Sequence, residues 1–256
     1  MFRADRSSSD RSSQEIWVCH LGLVPYLEGL AIQELIHARR LADELPDTLL
    51  LLEHPPTYTR ARRSGSEDLP LGEDFYRERG IEVHSTDRGG RSTYHGPGQL
   101  VGYGIMHVDD IQHFLRTMED AIVAALAEEG IAASSRHREG IDYTGVWVND
   151  RKIASIGLHV SHGVSTHGFA VNVENDLEPF SWMIACGLPE VQMTSIANEL
   201  PGDRAVGLAC FRKEVAYRFC QTHGRRQRLV APRRVGIDTY AVELAPASTP
   251  AQAVST

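Results

Sequence analysis

The chain has 256 residues, 42% of them hydrophobic and 23% charged, which fits one large or two small globular domains. A formal net charge of −8 argues against general nucleic-acid binding, because phosphate neutralisation needs a clustered basic face. No apolar run approaches the roughly 20 residues of a membrane-spanning helix, and the four cysteines show neither CxxC spacing nor the density of a disulfide scaffold. We therefore expect a cytoplasmic protein with free thiols that binds neither membranes nor nucleic acid.

The first part of the chain is predicted to alternate strands and helices. Residues 16–23 predict a strand, and residues 26–45 predict a helix in which apolar residues recur near the 3.6-residue period, namely Leu27, Leu30, Ala31, Leu35, Ala38 and Leu41. Residues 49–53 predict a short buried strand that the sequence His-Pro-Pro ends, and residues 60–68 a polar loop that carries three arginines. Another strand is expected at residues 81–85.

A Gly-rich segment, DRGGRSTYHGPGQ, leads into an apolar strand predicted at residues 100–108. Asp109 or Asp110 can cap the next helix, whose expected inward face is Ile111, Phe114, Leu115, Met118, Ile122, Ala125 and Leu126. Strands expected at residues 143–148, 152–160 and 169–173 are joined by short turn sequences and predict an antiparallel meander. A last helix is expected at residues 205–221.

These elements predict a single domain of the α/β or α+β class, in which a mixed, largely antiparallel sheet is flanked by helices. No internal repeat and no Ser-, Gly- or Pro-rich linker divides residues 15–238, so this stretch is expected to be the catalytic domain. Residues 1–14 lack the apolar core of a secretory signal, and residues 239–256 are of low complexity. We expect disordered tails at residues 1–14 and 239–256.

The Gly-rich segment is the first candidate for a binding site. Its sequence fits neither GxxxxGK[ST] nor a GxGxxG that opens a helix, which disfavours a phosphate-binding loop. Two interpretations stay open from the pattern alone. Either bare backbone here lies along an apolar substrate chain, or the segment is a wide turn with positive φ at Gly89, Gly90, Gly96 and Gly98.

Lys152 and Cys186 are the candidates for chemistry. Alternation along the strand would give Lys152 the same face as Ala154, Ile156 and Leu158. A lysine at that position either extends its ammonium to water or acts on a partner. Cys186 lies between an apolar stretch and a Gly-Leu-Pro turn, where packing explains a cysteine less easily. A thiolate is favoured by a neighbouring lysine or histidine, so Lys152 and His95 are its leading partners.

The other cysteines and a histidine cluster have simpler explanations. Cys19 alternates with apolar residues in the first strand, and Cys210 and Cys220 lie on the last helix, so all three are expected to be inert core residues. A spacing of HxxHxxxxH is formed by His159, His162 and His167. No cysteine or carboxylate at regular ligand spacing completes a zinc site there. We expect neither a metal nor a cofactor.

Five longer motifs follow one another along the chain. They are LLLLEHPPTYT at residues 49–59, RGGRSTYHGPGQLVGYGI at 88–105, GVWVNDRKIASIG at 145–157, THGFAVNV at 166–173 and ACGL at 185–188. In content and order they resemble the lipoyl(octanoyl) transferase family over nearly the whole globular part. The chain departs from the family pattern at residues 59–62, where TRAR replaces TLGR, and at Ala185, where the family usually has proline.

The resemblance implies the roles of particular residues. In that family a cysteine carries the acyl thioester and a lysine lowers its pKa, roles that fall on Cys186 and Lys152. His95 and His167 are then expected near the thiol. The implied acyl pocket consists of Arg88, Gly89, Gly90, Arg91, Ser92, Thr93, Tyr94, His95, Ser155, Ile156, Gly157, His167, Gly168, Phe169 and Ala170. The implied fold is that of the biotin and lipoate protein ligases.

The implied reaction moves octanoyl from octanoyl-acyl carrier protein to a lysine amine of lipoyl domains, as the first step of endogenous protein lipoylation. The implied acceptors are the lipoyl domains of 2-oxoacid dehydrogenase E2 subunits and the glycine cleavage H protein. The alternatives are an ATP-dependent lipoate ligase of the same fold, a non-catalytic acyl-binding module and a Cys-His peptidase. The HGPGQ sequence and Cys186 favour the transferase.

Two further expectations concern the transition state and the donor. Backbone N–H groups beside Cys186 or in residues 88–95 are expected to hold the oxyanion of the tetrahedral intermediate. Acyl carrier proteins are acidic, so a chain of net charge −8 needs a local positive surface to receive one. We favour the loop cluster Arg60, Arg62 and Arg63 over the C-terminal cluster Arg225, Arg226, Arg228, Arg233 and Arg234.

Overall fold

The computed structural model describes residues 14–184, 191–202 and 204–237. Cys186 and almost all of the two predicted tails lie outside these ranges. The strands are β1 (Glu15–Leu23), β2 (Thr48–Glu53), β3 (Thr57–Arg60), β4 (Glu82–Ser85), β5 (Thr93–His95), β6 (Gln99–Ile105), β7 (Ser134–Ser135), β8 (Gly145–Val148), β9 (Arg151–Ser161), β10 (Val164–Asn172), β11 (Gln192–Met193) and β12 (Arg226–Leu229). The α-helices are α1 (Tyr26–Leu41), α2 (Glu73–Glu78), α3 (Ile111–Glu128), α4 (Ile196–Glu199) and α5 (Leu208–Thr222).

The strands form one large and one small sheet. The large sheet has the order β12-β1-β2-β6-β10-β9-β8-β7, and β11 also pairs with β9. Its β12–β1, β1–β2 and β11–β9 pairs are parallel, and its remaining pairs are antiparallel. The small sheet has the order β4-β3-β5. The predicted class, a mixed and largely antiparallel sheet flanked by helices, is confirmed, and β8, β9 and β10 form the predicted meander.

Helices α3 and α5 cover one face of the large sheet, and α1 covers the other. The side chain of Asp110 caps α3 by accepting hydrogen bonds from the backbone N–H groups of Gln112 and His113. The predicted inward face of α3 packs on the sheet with one exception. Ile111 is 47% exposed, because it occupies the first turn of the helix, outside the core.

The prediction of which side of α1 faces the sheet is wrong. Its leucines face away from the sheet, with Leu27 58% exposed, and the helix buries the opposite stripe. That stripe carries Gly29, which leaves room for the ring of His54, and Gln33, whose Oε1 accepts a hydrogen bond from the backbone N–H of His167 at 2.6 Å. The helix also ends at Leu41, earlier than predicted. The buried stripe of α1 therefore combines Ile32 and Ile36, which join the core, with Gly29 and Gln33, which fit the groups beneath them.

Strand alternation at Lys152 is also different from the prediction. Trp147 pairs with Lys152 and Val146 pairs with Ala154, so Ile153 is an extra residue in β9. This β-bulge lets Ile153 and Ala154 both join the core under α3 and α5. It places Lys152 in a pocket together with Ser155 and Gly157, in place of the face shared with Ala154.

Other local expectations were incomplete. Strands β3, β5 and β12 were not predicted, because each has only three or four residues and no apolar alternation. Cys19 and Cys220 are buried free thiols, as expected, but Cys210 is exposed, because it lies on the outer side of α5. No helix in the described ranges is long and apolar enough to cross a membrane.

Candidate active site

A pocket that is partly open to solvent lies on the α1 face of the large sheet, with about 630 Å³ of space between its lining residues when the solvent at its mouth is included. It brings together all three predicted pocket segments and Lys152. Of the predicted residues, those that line it are Arg88, Gly90, Arg91, Ser92, Thr93, His95, Ser155, Ile156, Gly157, His167, Gly168, Phe169 and Ala170. Gly89 and Tyr94 do not line it. Tyr94 packs in the core of the small sheet, while Gly89 lies over β9 and donates its N–H to the carbonyl of Leu158.

The floor of the pocket is a stretch of sheet without bulky side chains. Register places Gly145, Ser155, Ala170 and Val101 in one row across β8, β9, β10 and β6. We call these four residues the floor row. Ser155, Ala170 and Val101 line the pocket, and the Cε atom of Lys152 lies over Gly145. At about 4.8 Å between strands, the row is about 14 Å long. Above it, a Cβ atom at Gly157 would lie 2.7 Å from the carbonyl oxygen of Gly89, so the loop approaches the sheet as closely as backbone allows.

The exposure of the lining residues shows which end of the pocket is its mouth and which is its deep end. Ile141 is 66% exposed, and the nearby Asp142 forms an ion pair with Arg63 at 2.9 Å, so this side is the mouth. Val101 and Tyr103 are almost fully buried at the other side. A chain that enters with its carbonyl at the mouth therefore runs inwards along the floor row towards β6.

Lys152 lies near the mouth end of the floor row and is only 2% exposed. Its Nζ is 5.3 Å from the centroid of the Trp147 ring. Its Cε packs against Gly145, where a Cβ atom would be 2.8 Å away. Gly145 has φ 134°, a conformation that few side chains tolerate. The lysine stem is thus held in a niche between an indole ring and bare backbone.

A chain of buried hydrogen bonds connects His95 to the backbone of Lys152. Nδ1 of His95 donates to Oε1 of Gln99 at 2.7 Å, because the Gln99 amide nitrogen already donates to Oδ1 of Asn172 at 2.9 Å. Asn172 donates to the carbonyl of Thr194 at 3.0 Å, and the Thr194 N–H donates to the carbonyl of Lys152 at 2.9 Å. Burial and the nearby His54 lower the pKa of His95 well below 6.5, so the ring is neutral and its Nε2 carries a lone pair.

His167 takes part in a second polar cluster. Its Nε2 donates to Oδ1 of Asp87 at 2.9 Å, and Asp87 also accepts from Nδ1 of His159. Burial opposes ionisation of Asp87, but the two histidine hydrogen bonds outweigh it and hold its pKa below the usual value. The predicted HxxHxxxxH pattern is therefore used, in part, to bind a carboxylate. Among the described residues, no group of three or more His, Cys, Asp and Glu side chains is arranged to hold a metal.

The deep end of the pocket contains residues that the predicted site did not include. His54 and Tyr103 hydrogen-bond to each other, and Tyr26 stacks near His95 with ring centroids 6.1 Å apart. Two sequence signals point to such residues. His54 and Tyr103 lie inside the motifs at residues 49–59 and 88–105, and each is a polar residue in or beside an apolar strand. Gln99 and Asn172 are likewise polar residues at the ends of apolar strands.

Known proteins resemble this chain both in sequence and in fold. The profile of the "Lipoyl protein ligase A/B catalytic domain" family matches residues 25–220. An octanoyltransferase of Rubrobacter xylanophilus is 44% identical over 208 residues, which cover 79% of this chain and 91% of that relative. An octanoyltransferase of Acidothermus cellulolyticus is 46% identical over 187 residues, which cover 71% and 80%.

The solved structures show the fold. Lipoate-protein ligase A bound with ATP has a TM-score of 0.67 at 18% identity, over 85% of this chain and 89% of that one. The bipartite lipoate protein ligase of Thermoplasma acidophilum has a TM-score of 0.66 at 18% identity, over 85% and 87%. The predicted lipoate protein ligase fold is thereby confirmed. The chain belongs to the lipoyl protein ligase A/B catalytic domain family and, with the octanoyltransferases as its relatives, to the lipoyl(octanoyl) transferases, a family of enzymes.

Proposed function

We propose that this enzyme transfers an octanoyl group from the thioester of an acyl carrier protein to the lysine amine of a lipoyl domain, with Cys186 as the transient acyl acceptor. The observation that carries the proposal is the buried Lys152 at one end of a pocket with a smooth floor. The name of the relatives, octanoyltransferase, supports the acyl group. The Thermoplasma ligase is described together with its E2 lipoyl domain, which supports the lipoyl domains of E2 subunits as acceptors. We propose the glycine cleavage H protein as a further acceptor.

The dimensions of the pocket support an acyl chain of medium length. An extended eight-carbon chain is about 10 Å long, given carbon–carbon bonds of about 1.5 Å. The part of the floor row that the Lys152 stem leaves open, from Ser155 to Val101, is about 10 Å long and accommodates this length before the wall at Tyr103. Residues of the row contribute at most a small side chain, so methylene groups can contact backbone directly.

The described residues on both sides of Cys186 support its role as the nucleophile. Ile184 donates its N–H to the carbonyl of Asp68 at 2.9 Å, and the Asp68 carboxylate accepts a hydrogen bond from the N–H of Ser92, a pocket residue. On the other side, Met193 pairs with Lys152 in the β11–β9 ladder. The described residues that flank residues 185–190 therefore lie close to two pocket residues: Ile184 is linked to Ser92 through Asp68, and Met193 lies beside Lys152.

The first half of the proposed reaction makes an acyl-enzyme. The Cys186 thiolate attacks the thioester carbonyl carbon, and a new carbon–sulfur bond forms as the bond to the carrier sulfur breaks. The Lys152 ammonium stabilises the thiolate before attack and gives its proton to the departing carrier thiolate. The carrier thus leaves as a free thiol, and Lys152 becomes a neutral amine.

The second half transfers the acyl group to the acceptor. The amine of the acceptor lysine attacks the acyl-enzyme, the amide bond forms, and Cys186 leaves as a thiolate. Lys152 accepts the proton that the attacking amine loses, which restores the original pair. No oxidant, nucleotide or metal is consumed in either half.

Backbone donors for the oxyanion are proposed in the loop above the floor. In the part of the chain that the structure describes, the N–H groups of Gly90 and Arg91 have no hydrogen-bond acceptor, and both residues line the pocket. Two such groups can stabilise an oxyanion by roughly 3 kcal/mol each when they are aligned with it. We propose them as the oxyanion donors, together with backbone beside Cys186.

The loop arginines are the better candidates for carrier docking. Arg63 lies at the pocket mouth, and the exposed Arg62 is next to it. Both clusters contain ion-paired arginines, so the position at the pocket mouth is what favours the loop: Arg60 and Arg63 pair with Glu73 and Asp142, and Arg225, Arg226 and Arg228 pair with Asp47 and Glu15. The C-terminal pairs tie β12 to β1 and Arg225 to the residue that precedes β2. We therefore propose that an acidic carrier protein approaches over Arg62 and Arg63.

The transferase differs from an ATP-dependent ligase in what it consumes, so one assay tests the proposal. The enzyme is incubated with a lipoyl domain and octanoyl carrier protein without nucleotide, and in parallel with free octanoate and ATP. The proposed function requires octanoyl-lysine in the first mixture only. Product in the second mixture alone would show a ligase, hydrolysis of the peptide chain would show a peptidase, and no product in either would show a binding module.

A further inference from the structure

A buried carboxylate lies behind the niche of Lys152, on the sheet face away from the pocket. Glu119 belongs to α3 and is only 2% exposed. Its Oε1 accepts a hydrogen bond from the backbone N–H of Gly145 at 2.9 Å. Its Oε2 is 3.7 Å from Nδ1 of His137, and the hydroxyl of Ser135 also hydrogen-bonds to the carboxylate. Three elements of the sheet edge thus meet at one side chain of α3.

Burying a carboxylate is costly, so its retention at this position needs an explanation. Burial raises the pKa of Glu119, and the hydrogen bonds from Gly145 and Ser135 act against that rise. An apolar residue would suit the surrounding core, which contains Met118 and Ile122 of the same helix. The function proposed above assigns no role to Glu119. What it holds is the backbone of Gly145.

Gly145 is the residue whose backbone shapes the niche. The Cε atom of Lys152 occupies the space where a Cβ of Gly145 would stand, at 2.8 Å. Gly145 is also the first residue of β8, directly after the short 3-10 turn Ile141–Tyr143 at the pocket mouth. A strand end beside a bulge is weakly held by its own ladder. The Glu119 hydrogen bond fixes this end from the opposite side of the sheet.

We infer that Glu119 is a positioning residue for Lys152: it fixes the backbone of Gly145 and thereby holds the lysine stem at the angle that acyl transfer requires. This inference rests on the proposed function of Lys152 and adds a residue that touches neither the pocket nor any substrate. A misplacement of about 1 Å at a reacting group can cost roughly 100-fold in rate. Loss of the Glu119 contact should therefore lower turnover without abolishing folding.

The lysine content of the chain allows a direct readout of Lys152. The sequence contains two lysines, Lys152 and Lys213, and Lys213 is exposed on α5. Protein made with ¹³C-labelled lysine therefore gives two Cε signals, one from the niche and one from the surface. The surface signal serves as an internal reference. This readout needs no catalysis, so it tests the inference separately from the proposed function.

Three variants and a control make the test. Glu119→Val removes the acceptor, Glu119→Asp keeps the charge but is one methylene too short, and Glu119→Gln keeps both the length and the acceptor oxygen. The matched control is Ile122→Ala, which weakens α3 one turn further on without touching Gly145. The measurements are the two Cε shifts, thermal unfolding, and kcat and KM for octanoyl transfer.

The inference requires that Val and Asp move the Lys152 signal and lower kcat by roughly 10- to 100-fold with KM little changed. Gln should restore both, and Ile122→Ala should lower stability without moving the signal. If the Glu119→Val variant does not fold, the Lys152 signal and kcat of Glu119→Asp test the inference. An unmoved Lys152 signal in a folded Val or Asp variant would overturn the inference, as would an equal movement in Ile122→Ala. A moved signal in an enzyme that never transfers octanoyl would instead refute the proposed function alone.

Discussion

Nε2 of His54 and the hydroxyl of Tyr103 lie 2.6 Å apart, and this hydrogen bond closes the deep end of the pocket. Nδ1 of His54 donates to the carbonyl of Val24, also at 2.6 Å, so Nε2 is the acceptor of the tyrosine proton. Burial lowers the pKa of His54 to about 4, which keeps the ring neutral. The tail of an acyl chain therefore meets Tyr103. The hydroxyl of Tyr103 is held by His54, and His54 is held in turn by the backbone of Val24.

The deep wall predicts a limit on chain length that a single substitution can move. Val101 is the last residue of the floor row before this wall, so Val101→Ala should make room for a longer tail. At ~0.8 kcal/mol per buried methylene, each methylene that gains room should raise relative use of the longer donor about fourfold. The measurement is the ratio of kcat/KM for decanoyl and octanoyl donors.

Val171→Ala is the matched control for chain length. Val171 follows Ala170 on β10, but its side chain belongs to the core under α3 and α5. The two variants lose the same atoms from opposite faces of the sheet, so both should lose stability to a similar degree. If Val101→Ala and Val171→Ala changed the ratio of kcat/KM for decanoyl and octanoyl donors equally, the floor row would not determine the preferred chain length.

Lys152→Met keeps the length of the stem and removes its charge. We expect octanoyl transfer to fall by roughly 100-fold or more, because both the thiolate partner and the proton carrier are lost. We also expect slower alkylation of Cys186 near neutral pH, because the thiolate is less favoured. The measurement is the rate of thiol alkylation against pH, beside the transfer rate.

This alkylation assay should be made in a Cys210→Ser background. Cys210 is exposed and would react, whereas burial raises the pKa of both Cys19 and Cys220 to about 12. Lys213→Met, at the exposed lysine, is the control for removing a lysine charge. If the alkylation profile of Lys152→Met matched that of Lys213→Met, Lys152 would have no influence on the thiol.

Arg62→Glu should slow acylation by the carrier protein but not by a small octanoyl thioester. Exposed charge acts mainly on the rate of encounter, and it is screened over about 8 Å at physiological salt. The defect should therefore be largest at low salt. Arg233→Glu makes the same change of charge in the C-terminal cluster and should have little effect. A larger defect in Arg233→Glu would move the docking surface to that cluster.

His54 also predicts how stability depends on pH. Its pKa is about 4 in the folded chain and near 6.5 when unfolded, so the unfolded chain binds the proton more readily. The contribution to stability is complete above pH 6.5 and is lost as pH falls towards 4. At about 1.4 kcal/mol per pKa unit, this amounts to about 3 kcal/mol.

Denaturant unfolding between pH 4 and 7 measures this dependence. His54→Gln removes the titrating ring, so the free energy of unfolding should vary less with pH in that variant. The same substitution at the exposed His162 should keep the slope of the parent protein. A parental slope in His54→Gln would show that other groups cause the acid sensitivity.

The sequence alone predicted the sheet well where periodicity is long and apolar. The meander of β8, β9 and β10 and the capped helix α3 follow from alternation and from one capping residue, Asp110. Helix α1 was placed correctly but with the wrong face inwards. Its leucines have the right period, yet Gly29 and Gln33 are needed against His54 and His167. The buried face joins these contacts to the core residues Ile32 and Ile36, and the leucine period alone does not show this.

The position of Lys152 could not be predicted from alternation, because a single extra residue, Ile153, changes the face of everything before it. One feature of composition does point to this lysine. Of the 26 basic residues in the chain, 24 are arginines, and the lysine kept at a buried position is one whose side chain can lose its proton. The contribution of Glu119 has no such signal, since it acts through the backbone of Gly145.

Mass spectrometry after incubation with octanoyl carrier protein alone tests the central claim most directly. The lipoyl domain, nucleotide and metal are left out, so that an acyl-enzyme accumulates if one is formed. We predict one octanoyl group per chain, on the peptide that contains Cys186, absent in Cys186→Ser and discharged when a lipoyl domain is added. A Cys186→Ser variant that still transfers octanoyl at the parental rate would contradict the covalent mechanism.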